Sequence, residues 1–292
     1  ELKPAEIEQA KAMVIEQTKG ALVLNKPPGL ATQGGTNTFN HVDGLLDAFA
    51  PGEEDVRPRL VHRLDKDTSG VLLVARTPGS ASFFSKRFSG RSAKKIYWAL
   101  VIGVPDIREG VIEAPLAKQP GSGGEKMHVD HEDGQPAKTK YRVVDSVGKK
   151  AAWLELQPMT GRTHQLRVHC AAMGHPIVGD GKYGGRDAFL TGAISRKMHL
   201  HARRLIIDSP DGGKLDVTAD LPEHFAGSME HLGFEESTSD ATPMRDDPPP
   251  KSREEKKQQA RQHAKNFRKS QRSPRRARGS AGAKPRKPGR KR

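Results

Sequence analysis

Apolar residues stop recurring near residue 234, and this break limits how much of the chain can fold around a core. Residues from about 20 to 232 contain regular apolar runs, for example Val-Leu-Leu-Val-Ala at 71–75, whereas the later segment is rich in Pro and then in Lys and Arg. A segment with so few apolar side chains cannot bury enough surface to offset its ordering entropy. The sequence therefore predicts a partly helical lead-in at 1–19, one globular domain at 20–232 and a disordered tail at 233–292.

The positive charge of the chain is concentrated in this tail. Residues 251–292 contain 18 Lys and Arg against 2 Glu, a net charge of +16, while the whole chain carries +15. The globular part is therefore close to neutral. A cationic tail attracts polyanions such as nucleic acid without reading their sequence. A solvated tail that binds no specific partner explains the same composition equally well.

Cysteine content and hydropathy exclude several other classes of protein. The one cysteine, Cys170, permits neither an internal disulfide nor a cysteine-rich zinc site. A reducing compartment fits this composition, and we expect a cytoplasmic protein. No apolar run approaches the roughly 18 residues of a membrane helix. The first 20 residues mix polar and charged side chains, unlike a signal peptide. We therefore expect no membrane contact.

Short apolar runs bounded by turn residues dominate the globular part. Strands are predicted near 21–24, 71–75, 96–102, 139–146, 151–158, 205–207 and 215–217. Helices are predicted at 40–50, 79–92 and 165–173. Because strands and helices do not alternate regularly, the pattern favours an α+β fold.

The string His-Arg-Leu-Asp-Lys-Asp-Thr-Ser-Gly at 62–70 places two acids, a histidine and two cations between apolar strands. One interpretation is a polar turn, since its last four residues are all turn formers. That interpretation does not explain Asp65, which directly follows the apolar Leu64 and lies between Arg63 and Lys66. A carboxylate in this position needs a cationic partner, and it is suited to act as a nucleophile or a base.

A second polar string, Gly-Arg-Thr-His-Gln-Leu-Arg-Val-His, occupies residues 161–169. Arg162 and Arg167 keep their charge at any physiological pH and can clamp phosphates or pair with a buried carboxylate. His164 and His169 also raise the possibility of a metal site. Their spacing of five residues suits one helix face poorly, and no nearby carboxylate completes a ligand set. We expect no metal.

Taken together, five segments in order resemble the RluA family of pseudouridine synthases. They are Asn-Lys-Pro-Pro-Gly at 25–29, the string at 62–70, Lys-Ile-Tyr-Trp-Ala-Leu at 95–100, the string at 161–169 with its sequel at 174–180, and Leu-His-Ala at 200–202. The resemblance spans roughly 20–225. Gln-Gly-Gly at 33–35 and residues 124–139 are most similar to RluC-type enzymes, which modify large-subunit ribosomal RNA. Those enzymes typically carry a small RNA-binding domain ahead of the catalytic one; we find none here, and the basic tail is a candidate substitute.

The resemblance implies an α+β fold with a mixed, mostly antiparallel central sheet, flanking helices and an RNA-binding cleft. It implies an enzyme that isomerises uridines to pseudouridine in structured RNA, with 23S ribosomal RNA as the expected substrate. We expect a monomer that uses no cofactor. Three alternatives stay open at this point: a transfer-RNA-directed synthase, a non-catalytic RNA-binding relative, and a hydrolase that uses the carboxylates.

The resemblance also implies roles for individual residues. Asp65 is the expected nucleophile or base, and Arg167 is its fixed cation. Tyr97 is expected to lie against the base, with Leu200 as an apolar floor, although both also suit plain core positions. Arg63 is expected either to fill the space left by a flipped uridine or to bind phosphate. The remaining expected RNA contacts are His62, Lys95 and Arg162.

Overall fold

A computed structural model describes residues 1–35, 37–121 and 125–246, together with positions 254, 257, 258 and 261. The chain divides into two units, residues 1–247 and 248–292. The first unit contains the sheets and the sites discussed below. The second unit holds most of the predicted disordered tail, which lies outside the described residues except at those four positions.

The helices and strands of the first unit are short and connected mostly by tight turns. The helices are α1 (Pro4–Ala12), α2 (Val42–Leu45), α3 (Pro78–Ser89), α4 (Gln165–Ala172), α5 (Gly181–Gly184) and α6 (Glu223–Leu232). The strands are β1 (Val14–Gln17), β2 (Ala21–Lys26), β3 (Arg59–Leu60), β4 (Ser69–Ala75), β5 (Lys94–Ile102), β6 (Glu109–Glu113), β7 (Leu116–Lys118), β8 (Met127–Val129), β9 (Lys138–Val147), β10 (Ala151–Pro158), β11 (Leu200–Asp208) and β12 (Lys214–Thr218). Single 3-10 turns follow α2, α5 and α6.

Ten of the strands in the described part of the chain form one sheet. Its central order is β1-β2-β4-β11-β5-β10-β9-β6, with β12 paired to β11 and β3 paired to β4. All of these pairs are antiparallel except β4 with β11, which run parallel where His201 lies opposite Ser69. The strands β7 and β8 form a separate hairpin. The predicted α+β fold with a mixed, mostly antiparallel central sheet is therefore confirmed.

The strand β4 is buried along its whole length because both faces of the sheet are covered there. Successive side chains of a strand point to opposite faces. In β4, Leu72 and Val74 accordingly join the core on one face, while Val71 and Leu73 join the core on the other. The helix α3 packs over the second face, where its Phe84 is buried.

The sequence also explains where α3 begins. Pro78 is its first residue, and the side chain of Thr77 accepts a hydrogen bond from the Ser80 N–H at 3.1 Å. Proline at the first position and threonine as the cap both favour the start of a helix. The prediction of a helix at 79–92 is therefore close to the observed bounds.

The N-terminal segment is part of the sheet, which the prediction of a partly helical lead-in understated. The strand β1 pairs antiparallel with β2, with Glu16 opposite Val23. Ala10 and Met13 are buried in the same core as Leu24. Too few apolar residues occur in this segment for sequence periodicity to show that it packs.

The prediction of disorder from residue 233 onward is wrong for residues 233–246. Phe234, Ala241 and Met244 are all buried, and the Phe234 ring lies 6.2 Å from that of Trp153. The Met244 N–H donates to Oε1 of Gln157 at 2.8 Å. These apolar residues are too widely spaced to form a periodic pattern, yet Phe234 and Ala241 join the core cluster around Trp98 and Trp153. The folded unit therefore extends at least to residue 246.

Candidate active site

A cavity of about 460 Å³ opens on the sheet face that carries Tyr97 and Leu200. Its volume lies within the range of about 300–1,000 Å³ that is typical of small-molecule sites. All eight predicted site residues line this one cavity: His62, Arg63, Asp65, Lys95, Tyr97, Arg162, Arg167 and Leu200. The structure therefore brings together residues that lie more than 130 positions apart in the sequence.

The sheet topology explains this convergence. The loop that carries Asp65 leads directly into β4, and β4 pairs with the beginning of β11. The neighbouring strand β5 places Tyr97 opposite Ala202 of β11. Gly70 is required where β4 meets β11, because its φ is +113° and a Cβ there would collide with the carbonyl of Ala202. The helix α4, with Arg167, borders the cavity on its other side.

Asp65 faces two nitrogen-bearing side chains. One is Arg167 of α4, and the other is His164, the residue that directly precedes α4. Its Oδ2 is 4.0 Å from Nη1 of Arg167, and its Oδ1 is 4.0 Å from Nε2 of His164. The side chain of Asp65 is 31% exposed. The carboxylate is therefore neither buried without a partner nor free in bulk water. Neither distance is short enough for a hydrogen bond.

The direct partner of Arg167 is Asp180, which the sequence analysis did not identify as a site residue. Arg167 donates from Nε to Oδ2 of Asp180 at 3.0 Å and from Nη2 to Oδ1 at 2.8 Å. The side chain of Asp180 is only 1% exposed. Burial opposes the charged form of Arg167, but the bonds to Asp180 outweigh it and raise the pKa of the guanidinium. Arg167 is thus already paired with Asp180 where it faces Asp65.

The backbone on both sides of Asp65 is held by buried polar side chains. The hydroxyl of Thr32 donates to the Leu64 carbonyl at 2.6 Å and accepts from the Leu64 N–H at 3.2 Å. The ammonium of Lys26 donates to the Lys66 carbonyl at 2.9 Å. Thr32 therefore fixes the residue before Asp65, and Lys26 fixes the residue after it.

Lys26 itself has no exposed surface. It donates to the carbonyls of Pro27 at 3.0 Å and Leu30 at 2.6 Å, in addition to that of Lys66. Burial lowers the pKa of Lys26 to about 7, and the charges of Asp67 and Asp65 oppose this shift. Three carbonyl acceptors match the three N–H bonds of an ammonium. The contacts therefore favour the charged form of this lysine.

Tyr97 faces the cavity from β5 and is 9% exposed. Burial, followed by the negative charge of Asp65, raises its pKa well above the usual range. The phenol is therefore protonated in the free protein. It can donate a hydrogen bond to a bound base, and removal of the charge on Asp65 would lower its pKa and make the phenolate easier to form.

The side chains predicted to contact RNA differ in their exposure and in the contacts that they already make within the protein. Arg63 is exposed at the cavity mouth. His62 stacks on Phe88 with ring centroids 4.3 Å apart, and its Nε2 accepts the Leu73 N–H at 2.8 Å. Burial and the charge of Lys95 lower the pKa of His62 to about 3. This histidine is therefore a neutral part of the cavity wall.

An adjoining cavity of about 350 Å³ extends the site along its basic rim. Its cationic lining residues are Arg91, Lys94, Lys95 and Arg162. Arg162 is partly held, because its Nε donates to the Pro136 carbonyl at 3.1 Å. A phosphate backbone leaving the main cavity would meet these charges.

The described part of the chain contains neither a cluster of metal-ligating side chains nor a membrane-spanning helix. No group of three or more His, Cys, Asp or Glu side chains is arranged to hold a metal ion in that part of the chain. His169 contacts Thr139 through Nδ1 at 2.8 Å and the Ala114 carbonyl through Nε2 at 2.9 Å, so it does not join His164 as a ligand. Over residues 1–35, 37–121 and 125–246, no helix is both long and apolar enough to cross a membrane.

Comparison with known proteins identifies the family. Residues 20–172 match the family described as RNA pseudouridylate synthase. The chain is 35% identical to ribosomal large subunit pseudouridine synthase C of Rickettsia conorii, over 76% of this chain and 73% of that protein. It is 38% identical to mitochondrial RNA pseudouridine synthase 4 of Arabidopsis thaliana, over 70% of this chain and 52% of that protein. The chain belongs to the RNA pseudouridylate synthase family, and the predicted RluA-family resemblance is confirmed.

Solved structures show the same fold. Human RNA pseudouridylate synthase domain containing 4 superimposes with a TM-score of 0.67 and 30% identity, over 79% of this chain and 98% of that one. The human domain-containing 1 protein gives a TM-score of 0.59 at 27% identity, over 85% of this chain and 94% of that one. The chain spans only about half the length of the plant relative, 52%.

Four residues near Asp65 were not predicted as parts of the site: Lys26, His164, Asp180 and Tyr183. A signal for Lys26 was present, since it continues the inward-facing series Leu22 and Leu24 of β2. A period of two therefore places this lysine on the buried face. Asp180 and Tyr183 follow Arg167 by 13 and 16 residues, and no helical or strand period relates them to it.

Proposed function

We propose that this chain isomerises uridine to pseudouridine in structured RNA, with Asp65 acting on a uridine held in the 460 Å³ cavity. The observation that carries the proposal is the position of Asp65. Its carboxylate is set against Arg167 and close enough to Tyr97 to raise the pKa of the phenol, in a chain that belongs to the RNA pseudouridylate synthase family. The predicted alternatives of a hydrolase and of a non-catalytic relative become outcomes of the test below.

The reaction needs a positioned carboxylate and a cavity that can hold a detached base. The bond between ribose C1′ and uracil N1 breaks, the base turns, and C1′ bonds to C5. N1 gains a proton and C5 loses one, so atoms balance and no electron is transferred to another molecule. Asp65 serves as nucleophile or base in the bond-breaking step. Arg167 stays charged beside it, because Asp180 fixes the guanidinium.

Tyr97 is placed for the last proton transfer. The charge of Asp65 helps to keep the phenol protonated in the free protein. If Asp65 is neutralised or covalently bound during turnover, that contribution disappears, the pKa of the phenol falls, and the phenolate becomes easier to form. Once the phenol has lost its own proton to water, the phenolate can accept the proton from C5 after the base has rejoined the sugar.

Access to the cavity requires that the uridine leave its stack, at a cost of a few kcal/mol. Arg63 stands exposed at the cavity mouth. Its planar guanidinium can stack on neighbouring bases and hydrogen-bond at the same time. We propose that Arg63 occupies the space that the flipped uridine leaves, while the basic rim at Arg91, Lys94 and Arg162 holds the adjoining phosphates.

Large-subunit ribosomal RNA is the substrate we propose. The Rickettsia relative, which this chain covers over 73% of its length, is named as a ribosomal large subunit enzyme. We also propose that the protein acts as a monomer in the cytoplasm, although one plant relative is named as mitochondrial. Mapping of pseudouridines in ribosomal and transfer RNA from a deletion strain tests the substrate directly.

The activity itself is tested with RNA that carries tritium at C5 of uridine. We expect the full chain to release tritium from large-subunit ribosomal RNA in step with pseudouridine formation. RNA binding without tritium release would point to a non-catalytic relative. Release of free uracil in place of pseudouridine would point to a hydrolase, and either result would contradict the proposal.

A further inference from the structure

Tyr183 of α5 contacts both side chains that face Asp65. Its hydroxyl oxygen lies 2.6 Å from Nδ1 of His164. The guanidinium carbon of Arg167 lies 5.0 Å from the centre of its ring. His164 and Arg167 in turn face Oδ1 and Oδ2 of Asp65, each at 4.0 Å. Tyr183 lies outside the cavity lining, but it contacts both His164, which faces Oδ1 of Asp65, and Arg167, which faces Oδ2.

The hydrogen-bond pattern favours one tautomer of His164. The Met127 N–H donates to the Tyr183 oxygen at 3.0 Å. A peptide N–H can only donate, so the phenol oxygen accepts there, and donation of its own hydrogen to Nδ1 of His164 at 2.6 Å satisfies both groups. Nδ1 therefore accepts. Burial lowers the pKa of His164 and favours the neutral ring, which must then carry its proton on Nε2.

The Nε2–H of His164 is the group that faces Asp65. The carboxylate is thereby flanked by two different donors, a neutral imidazole N–H at Oδ1 and a guanidinium at Oδ2. At 4.0 Å neither contact is a hydrogen bond in the free protein. Such contacts commonly shorten when substrate closes the site.

We propose that Tyr183 is a positioning residue for the reaction. Its hydroxyl selects the Nε2–H tautomer of His164, its ring restrains Arg167, and together these hold the Asp65 carboxylate by both oxygens. The inference rests on the proposed role of Asp65. It adds a connection to the β7–β8 hairpin, because the hydroxyl is itself anchored by the backbone of Met127.

A matched pair of substitutions tests the hydroxyl. Tyr183→Phe removes it and keeps the ring beside Arg167. Tyr141→Phe removes a hydroxyl that donates to the Ile107 carbonyl at 2.9 Å, outside the cavity lining. We expect Tyr183→Phe to lower the single-turnover rate about tenfold, as loss of one hydrogen bond in the transition state does. RNA affinity should stay within about twofold, and Tyr141→Phe should change neither quantity appreciably.

A second pair tests His164 itself. Gln at position 164 can place an amide N–H where Nε2–H lies, whereas Asn places its amide nearer to Nδ1. We expect His164→Gln to retain several times the activity of His164→Asn. Equal activity of the two variants would contradict the proposed donor.

The tautomer is read directly, without turnover, by long-range proton–nitrogen NMR on histidine-labelled protein. The His164 signals are those lost in His164→Gln. We expect Nδ1 to be unprotonated and Nε2 protonated in the wild type, with a mixture of tautomers in Tyr183→Phe. A proton on Nδ1 in the wild type, or a Tyr183→Phe rate equal to that of Tyr141→Phe, would overturn the inference. Because the NMR readout needs no activity, failure here is distinct from failure of the Asp65 assignment.

Discussion

Arg167 and Asp180 form a two-bonded ion pair in the wall of the cavity, with N–O distances of 3.0 and 2.8 Å. The third guanidinium nitrogen, Nη1, is left facing Oδ2 of Asp65 at 4.0 Å. The charge of Arg167 is therefore largely balanced before Asp65 is considered. Asp65 is oriented by a fixed cation without being locked into a salt bridge, which leaves its oxygens available to a substrate.

Asp180→Asn should both destabilise the fold and impair the reaction. Arg167 is only 12% exposed, so removing the charge of Asp180 leaves a poorly solvated cation, at a cost of about 3 kcal/mol. The freed guanidinium should also swing toward Asp65 and pair with it. Urea unfolding and single-turnover rates measure the two effects.

Asp216→Asn is the matched control for that change. Asp216 also holds an arginine, Arg204, through two bonds of 2.8 Å, but its side chain is 46% exposed. An exposed pair contributes less than about 1 kcal/mol. If Asp180→Asn and Asp216→Asn lowered the free energy of unfolding equally, the claim that burial makes the Asp180 pair more important would be contradicted.

Lys26→Met should loosen the loop that carries Asp65. The carbonyls of Pro27 and Leu30 lose their donor, and that of Lys66 loses one of two, since it also accepts from the Gly29 N–H at 2.9 Å. We expect a loss of about 3 kcal/mol in the free energy of unfolding, because buried acceptors without partners cost about 1–3 kcal/mol each and water can satisfy some of them. Lys66→Met changes an exposed side chain of the same loop and should leave stability nearly unchanged.

The buried histidine His201 should make the fold sensitive to acid. It is fully buried between Ser69, 2.8 Å from Nδ1, and the Ala219 carbonyl, 2.9 Å from Nε2. Burial lowers its pKa from 6.5 to about 4. Between pH 6.5 and 4 the unfolded chain binds a proton that the folded chain does not, so acid favours unfolding. This stability is present above pH 6.5 and is lost as the pH falls through 4.

The expected slope from His201 is about 1.4 kcal/mol per pH unit within that window. His201→Gln should flatten the pH dependence of urea unfolding by about one proton. His131→Gln removes an exposed histidine and should leave the slope as it is. An unchanged slope in His201→Gln would mean that the ring is protonated in the folded state.

The basic tail should contribute to RNA capture and not to chemistry. Residues 251–292 carry a net charge of +16, and most of them lie outside the described residues. Deleting them should weaken RNA binding and make its salt dependence shallower, because fewer phosphate counterions are released. The single-turnover rate at saturating enzyme should persist. Unchanged binding at low salt would show that the tail plays no part in substrate capture.

Much of the fold was predictable because local pattern and tertiary structure agree. The long apolar strands β4, β5 and β10 and the capped helix α3 were found in the sequence close to their observed positions. The short strands β6, β7 and β8 were not, since each holds only two apolar residues. The strand β6 is held by pairing with the longer β9, whereas β7 and β8 pair with each other and Leu116 of β7 packs against Val168 of α4.

The residues that line the candidate site were predictable from the sequence, but the hydrogen bonds and ion pairs that connect them were not. Motif resemblance placed Asp65, Tyr97 and Arg167 together, and they line one cavity. It did not reveal that Arg167 is bonded first to Asp180, because that pair forms only when α4 and the turn after it pack together. Sequence spacing carries no information on such a contact, whereas burial of a permanent cation does require a partner of this kind.

The most direct test of the account compares two aspartates of one loop. Asp65→Asn and Asp67→Asn each remove one carboxylate charge, two residues apart. With RNA tritiated at C5 of uridine, we predict that Asp65→Asn abolishes tritium release while RNA affinity stays within a few-fold, and that Asp67→Asn still turns over. Tritium release by Asp65→Asn at the wild-type rate would contradict the account.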